Sequence, residues 1–63
     1  MPFIVVRMLE GRDAEQRRKF ARAVADAAQQ HLRASATDVQ GHFVDVPRTH
    51  FFRGGTFQSD LAD

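Results

Sequence analysis

The 63-residue chain contains no cysteine, no tryptophan and no tyrosine. Without cysteine, disulfides, thiolate metal sites and cysteine nucleophiles are excluded together. Long apolar runs are missing too. The longest, Phe3 to Val6, falls far short of the roughly 20 residues that cross a bilayer as a helix. The chain also does not open on the basic segment, apolar core and cleavage site of a secretory signal, so a cytoplasmic protein that does not associate with membranes is expected. Neither sign of charge is in excess: 9 Lys and Arg against 8 Asp and Glu leave a formal charge of +1. That balance argues against a general nucleic-acid binder and gives no pull toward anionic membranes.

A chain this short forms a single domain, 1–63, and buries only a modest share of its surface. With no disulfide available, the missing stability has to come from packing between subunits, and an oligomer is expected. The six Phe residues supply large apolar surfaces for such contacts.

Phe3-Ile4-Val5-Val6-Arg7-Met8-Leu9 is apolar and β-branched, which predicts a strand buried over most of its length. Glu10-Gly11-Arg12 breaks it. Asp13 stands three residues before Gln16, the spacing of a capping box. From there to about Leu32 the chain is rich in Ala, Arg, Gln and Lys with no Gly or Pro, which favours helix. Phe20, Ala21, Val24, Ala27, Ala28, His31 and Leu32 fall on one apolar stripe of that helix. Val39 to Val46 predicts a second strand, stopped by Pro47. Strand, helix and strand make a right-handed β-α-β unit with parallel strands. Gly54-Gly55, following Phe51-Phe52, signals a small C-terminal hairpin. The fold class is therefore α/β (α+β): one β-α-β unit plus a short hairpin. A lone two-stranded sheet leaves edges and a face uncovered. Pairing two such units edge to edge gives a four-stranded sheet per dimer, and its open face calls for further subunits.

Removal of Met1, which a small second residue permits, would make Pro2 a secondary amine at the start of the chain. An α-amino group titrates near neutrality, around 7.7–8.0, and a neutral amine at physiological pH is a competent general base. Pro2 is equally acceptable as an ordinary first residue of a strand. Arg12, between the first strand and the helix N-terminus, suits a carboxylate, or is simply a solvated loop arginine.

Taken together, Pro2, the segment Leu9-Glu10-Gly11-Arg12, the Asp13/Gln16 cap, and Phe51 followed by Gly54-Gly55 resemble the 4-oxalocrotonate tautomerase family. The resemblance runs without gaps from Pro2 to about Gly55. It implies a tautomerase in which Pro2 is the catalytic base, shuttling a proton between carbons of a small unsaturated 2-oxo (enol or dienol) acid of the kind met in the breakdown of aromatic compounds. It further implies that Arg12 binds a substrate carboxylate, that Phe51 makes the pocket apolar and that Leu9 lines it. Hexamers built as trimers of dimers, sites shared between neighbouring subunits, and no metal or cofactor complete the family pattern.

Two positions depart from that pattern. Gln40 stands where the family has a second active-site arginine, so an amide replaces a charge that would stabilise an enolate. Removing one such electrostatic element costs on the order of a hundredfold in rate. Asp38 replaces a small polar pocket residue, and a carboxylate beside the Pro2 amine favours its protonated form. This opens a second activity, hydration or dehalogenation of small 3-substituted acids, or their decarboxylation, with protonated Pro2 acting beside Asp38. A third reading is a catalytically degenerate subunit or binding module. His42, two residues from Gln40 on the same strand face, His50 and Arg53 are the basic groups available to compensate, although His42 also reads as a half-exposed strand residue. His42 and His50 do not make a metal site, since no third ligand has suitable spacing. Arg17-Arg18-Lys19 with Arg22 reads as a solvated helix face, paired in part with acids one turn away.

Overall fold

The computed structural model describes residues 1–61, so the last two positions of the expected 1–63 domain lie outside the described residues. Strand β1 spans Phe3–Leu9, helix α1 spans Ala14–Leu32, and strand β2 spans Gln40–Val46. A single 3-10 turn, Ala36–Asp38, precedes β2, and the two short strands β3 (Phe52–Arg53) and β4 (Thr56–Phe57) follow it. β1 and β2 pair in parallel, from Phe3 opposite Gln40 to Leu9 opposite Val46. β3 and β4 pair antiparallel. This is the β-α-β unit with a terminal hairpin.

Local chemistry sets each boundary. At the start of α1, the Asp13 carboxylate accepts the Gln16 backbone N–H at 2.8 Å, and the Gln16 side chain accepts the Asp13 N–H at 3.1 Å. Both halves of the capping box are thus formed. The helix ends on Arg33, whose backbone is left-handed (φ 57°, ψ 33°) and whose N–H reaches the Ala28 carbonyl. Gly54 and Gly55 have φ of 60° and 84°, positive at both central positions as a type I′ hairpin turn requires. Gly41 is needed for a different reason. A Cβ there would lie 2.6 Å from the Ile4 carbonyl oxygen on the neighbouring strand.

The helix covers one face of the sheet. Ile4, Val6 and Met8 are half-buried beneath it, while Phe3 and Val5 on the other face remain 66% and 50% exposed. The burial expected over most of β1 alternates instead, because one helix can cover only one face. Phe20 packs edge-on against Phe43, ring centres 6.3 Å apart, and Arg17 reaches Asp45 at 3.6 Å. Phe43 and Asp45 thus face the helix, whereas Gln40, His42, Val44 and Val46 share the open face with Phe3, Val5, Arg7 and Leu9. Of the stripe predicted along α1, Val24 and Ala28 lie inward; Phe20, Ala21, Ala27, His31 and Leu32 are exposed, and Ala25 takes an inner position. Alanines on both sides of the wheel make that rotation invisible to hydropathy. Ala28 is the one buried residue among those described.

Candidate active site

β1 carries Pro2 at one end and Leu9-Glu10-Gly11-Arg12 at the other. The Gln40 N–H donates to the Pro2 carbonyl at 3.1 Å, which fixes Pro2 as an extension of the β1–β2 ladder. The 3-10 turn, closed by the Asp38 N–H on the Ser35 carbonyl at 3.0 Å, brings Asp38 back to this end of the sheet. Pro2 and Asp38 line one cleft of about 410 Å³ with Met1, Leu32, Arg33 and Ser35. Pro2 itself is half-buried. The cleft thus combines the prospective N-terminal amine, a carboxylate, a guanidinium and the apolar end of the helix.

Gln40 begins β2 beside this cleft, where its side-chain amide donates to the Met1 sulfur at 3.3 Å. His42 presents its ring edge-on to Phe3, with centres 5.6 Å apart and planes at 80°. Gln40 and His42 do share a strand face, which is the open one. His50 lies in the turn after Pro47, its N–H on the Pro47 carbonyl at 2.8 Å.

The opposite end of β1 gathers the other predicted residues. Glu10 extends the ladder through its N–H to the Val46 carbonyl at 3.0 Å, and its carboxylate accepts the Arg48 N–H, also at 3.0 Å. Gly11, at φ 124°, then turns the chain so that the Arg12 side chain is exposed. The Arg12 carbonyl is held by the Arg17 guanidinium at 2.7 Å, and Arg17 also bridges to Asp45. Phe51, half-buried, follows β2 at this same end of the molecule; its carbonyl accepts the Gln58 N–H at 2.8 Å. The Arg53 guanidinium sits over the Phe51 ring at 5.9 Å, within cation–π range.

Pro2, Asp38 and Gln40 are thus brought together at one end of β1, and Leu9, Arg12 and Phe51 are not. Seven strand steps at ~3.3 Å separate Pro2 from Leu9, about 23 Å, more than a small acid can bridge. Two residues escaped the sequence reading. Arg33, in the Pro2 cleft, looks like one more charge at a helix end, and Arg17, the strut beneath the Arg12 loop, looks like part of a solvated basic run. A second concavity, about 340 Å³ between α1 and β2, is lined by apolar side chains such as Val6, Phe20, Val24 and Phe43 and, along β2, by Gln40 and His42. It is the unfilled seam of a thin helix–sheet layer. Among the described residues no group of three His, Asp or Glu side chains is placed to hold a metal ion, and no helix is long and apolar enough to cross a membrane.

Known proteins are similar to this chain in sequence and in shape. Residues 2–60 match the family described as "Tautomerase enzyme". The chain is 36% identical over 55 residues to a 2-hydroxymuconate tautomerase of Stutzerimonas stutzeri, covering 87% of each. It is 34% identical over 61 residues to one of Pseudomonas putida, covering 97% of each. Among solved structures, a 4-oxalocrotonate tautomerase homologue superposes over the full length of both chains with a TM-score of 0.94 at 28% identity. A heterohexamer 4-oxalocrotonate tautomerase from Chloroflexus aurantiacus gives 0.88 at 34% identity, covering 98% of this chain and 100% of that one.

Proposed function

Because this chain belongs to the tautomerase family, as an isomerase of the 4-oxalocrotonate tautomerase type, we propose that the Pro2 amine, freed by removal of Met1, is its catalytic base. The substrate is a small unsaturated 2-oxo acid in its enol or dienol form. Pro2 takes a proton from one position of the conjugated system and returns it at another, with no cofactor. Arg12 holds a carboxylate, Phe51 and Leu9 keep water from the reacting carbons, and Gln40 offers a neutral hydrogen bond to the developing enolate oxygen. An acid of this type also arises when aromatic rings are opened, and that is the metabolic setting the relatives' names suggest.

One observation carries the reading: Pro2 and Asp38 line one cleft, while Arg12, Leu9 and Phe51 lie at the far end of β1. A complete site needs the Pro2 end of one subunit and the Arg12 end of another. The proposed assembly is therefore a homo-oligomer of single 1–63 domains, a hexamer built as a trimer of dimers, acting in the cytoplasm without nucleic-acid or membrane partners. Removal of Met1 also releases Gln40 from its contact with the Met1 sulfur and opens the cleft in front of Pro2. If Met1 stays, Pro2 is an amide and has no basic lone pair.

Asp38 supports a second reading, hydration or dehalogenation of small 3-substituted acids, or their decarboxylation. A carboxylate beside a cationic amine favours the protonated form, which suits Pro2 as an acid while Asp38 activates water. Asp38→Ser separates the two by the sign of its effect. Losing the carboxylate lowers the amine's pKa and moves the acidic, ascending limb of a base-catalysed rate profile to lower pH. Turnover of a 2-hydroxydienoate near neutrality then rises in the variant, whereas turnover of a 3-haloacrylate by the second mechanism falls. A Met1-free chain that acts on neither compound, before or after the substitution, is instead a degenerate subunit or binding module.

A further inference from the structure

The Pro2 cleft holds a cation that neither the sequence motifs nor the family pattern assigns. Arg33 follows the last residue of α1 and lines the cleft beside Pro2, Ser35 and Asp38. Two features bear on its role. Its backbone is left-handed, the only non-glycine residue with positive φ among those described, in the position that terminates helices and usually falls to Gly or Asn. A long side chain there costs about 1 kcal/mol relative to glycine. Its side chain is exposed and its guanidinium forms no hydrogen bond or ion pair among the described residues, so no contact there competes with a ligand, whereas the guanidiniums of Arg17, Arg18 and Arg22 are engaged with carboxylates. Arg12 cannot serve the same chain's cleft, because it lies beyond the far end of β1.

We infer that Arg33 is the anion-binding residue of the Pro2 cleft, pairing with the carboxylate or enolate oxygen next to the carbon from which Pro2 moves a proton. This rests on the reading of Pro2 as the reactive amine. The charges in the cleft support it. Asp38 alone would repel an entering acid; Arg33 offsets that charge, so the cleft admits an anion while the Pro2 amine stays neutral and able to take a proton. A guanidinium presents several N–H donors in a fixed fork and matches a carboxylate edge-on. Gln40, held against Met1 in the unprocessed chain, supplies an amide but no charge. Arg33 thus supplies the positive charge on the Pro2 side of the site, and a neighbouring subunit's Arg12 side grips the other end of a longer acid.

The test uses the processed chain, verified by intact mass to begin at Pro2. A 3-bromopropiolate and its neutral methyl ester are used to alkylate the amine, and peptide mapping locates the label. Arg33→Gly keeps the left-handed backbone, which glycine adopts freely, and Arg33→Lys keeps the charge. The acid should label Pro2 about tenfold more slowly in Arg33→Gly at low reagent concentration, the size of one charge-assisted contact. The ester rate should not change, and Arg33→Lys should recover most of the difference. An acid-to-ester rate ratio unchanged in Arg33→Gly, with Pro2 still labelled, overturns the role of Arg33 and leaves Pro2 standing. Absence of label at Pro2 in the unsubstituted chain removes the reactive amine and this inference with it.

Discussion

Arg12 and Arg17 show how one cation depends on another. The Arg17 guanidinium donates to the Arg12 carbonyl at 2.7 Å and reaches Asp45 at 3.6 Å, tying the loop after β1 to both the helix and β2. The Arg12 side chain is exposed and forms no hydrogen bond or ion pair among the described residues. If it grips a carboxylate equally in ground and transition states, Arg12→Ala should raise KM about tenfold or more and change kcat little. Steady-state kinetics on a 2-hydroxydienoate decide this; a collapsed kcat at unchanged KM contradicts the binding role. Pro2, Arg12 and Phe51 become candidates in the sequence only jointly, through order and spacing, since each taken alone is an ordinary residue. Arg33 was not legible. Its left-handed backbone is normally announced by a glycine, and here nothing in the local sequence announces it.

Among the elements, those with chemical punctuation were readable. The capping box at Asp13 and Gln16, the stop at Pro47 and the paired glycines of the hairpin each specify a backbone geometry, and each forms as expected. The rotation of α1 was not readable, because Ala25 and Ala27 are interchangeable in hydropathy and only the packed sheet selects between them. Burial along β1 was overestimated for a related reason: apolar residues at Phe3 and Val5 face away from the helix, toward a surface the single chain does not cover. Gly41 is the tightest point of the sheet. A methyl group there meets the Ile4 carbonyl oxygen at 2.6 Å, and backbone atoms have nowhere to give. Gly41→Ala should therefore cost about 1–3 kcal/mol, the usual range for overpacking, measured by chemical denaturation of the assembled protein. A change below about 0.5 kcal/mol, the scatter of neutral surface substitutions, would show that the strands slide apart freely. The seam matters for the site because Gly41 lies between Gln40 and His42.

For the whole molecule, the single chain is an incomplete object. Its radius of gyration is 15.0 Å, against about 10.6 Å for a compact domain of this length. Both strands of its main sheet are edges, and Phe3, Val5, Leu32 and Phe52 are each half or more exposed. Apolar area left in water on this scale is what subunit contacts remove. The chain should sediment as one oligomeric species, a hexamer, and Phe3→Asp on the open sheet face should yield unfolded or aggregated chain instead of folded monomer. A folded, stable monomer at micromolar concentration contradicts the shared site as well as the assembly. The most direct test of a proline-based mechanism concerns the amine alone. A chain this short can be synthesised with and without Met1, so that two molecules differ only in whether Pro2 is an amine or an amide. With a 2-hydroxydienoate, the form beginning at Pro2 should turn over at least about a hundredfold faster, the lower end of what a positioned general base contributes. Equal rates from the two forms, both shown to be assembled, would mean that Pro2 is not the base.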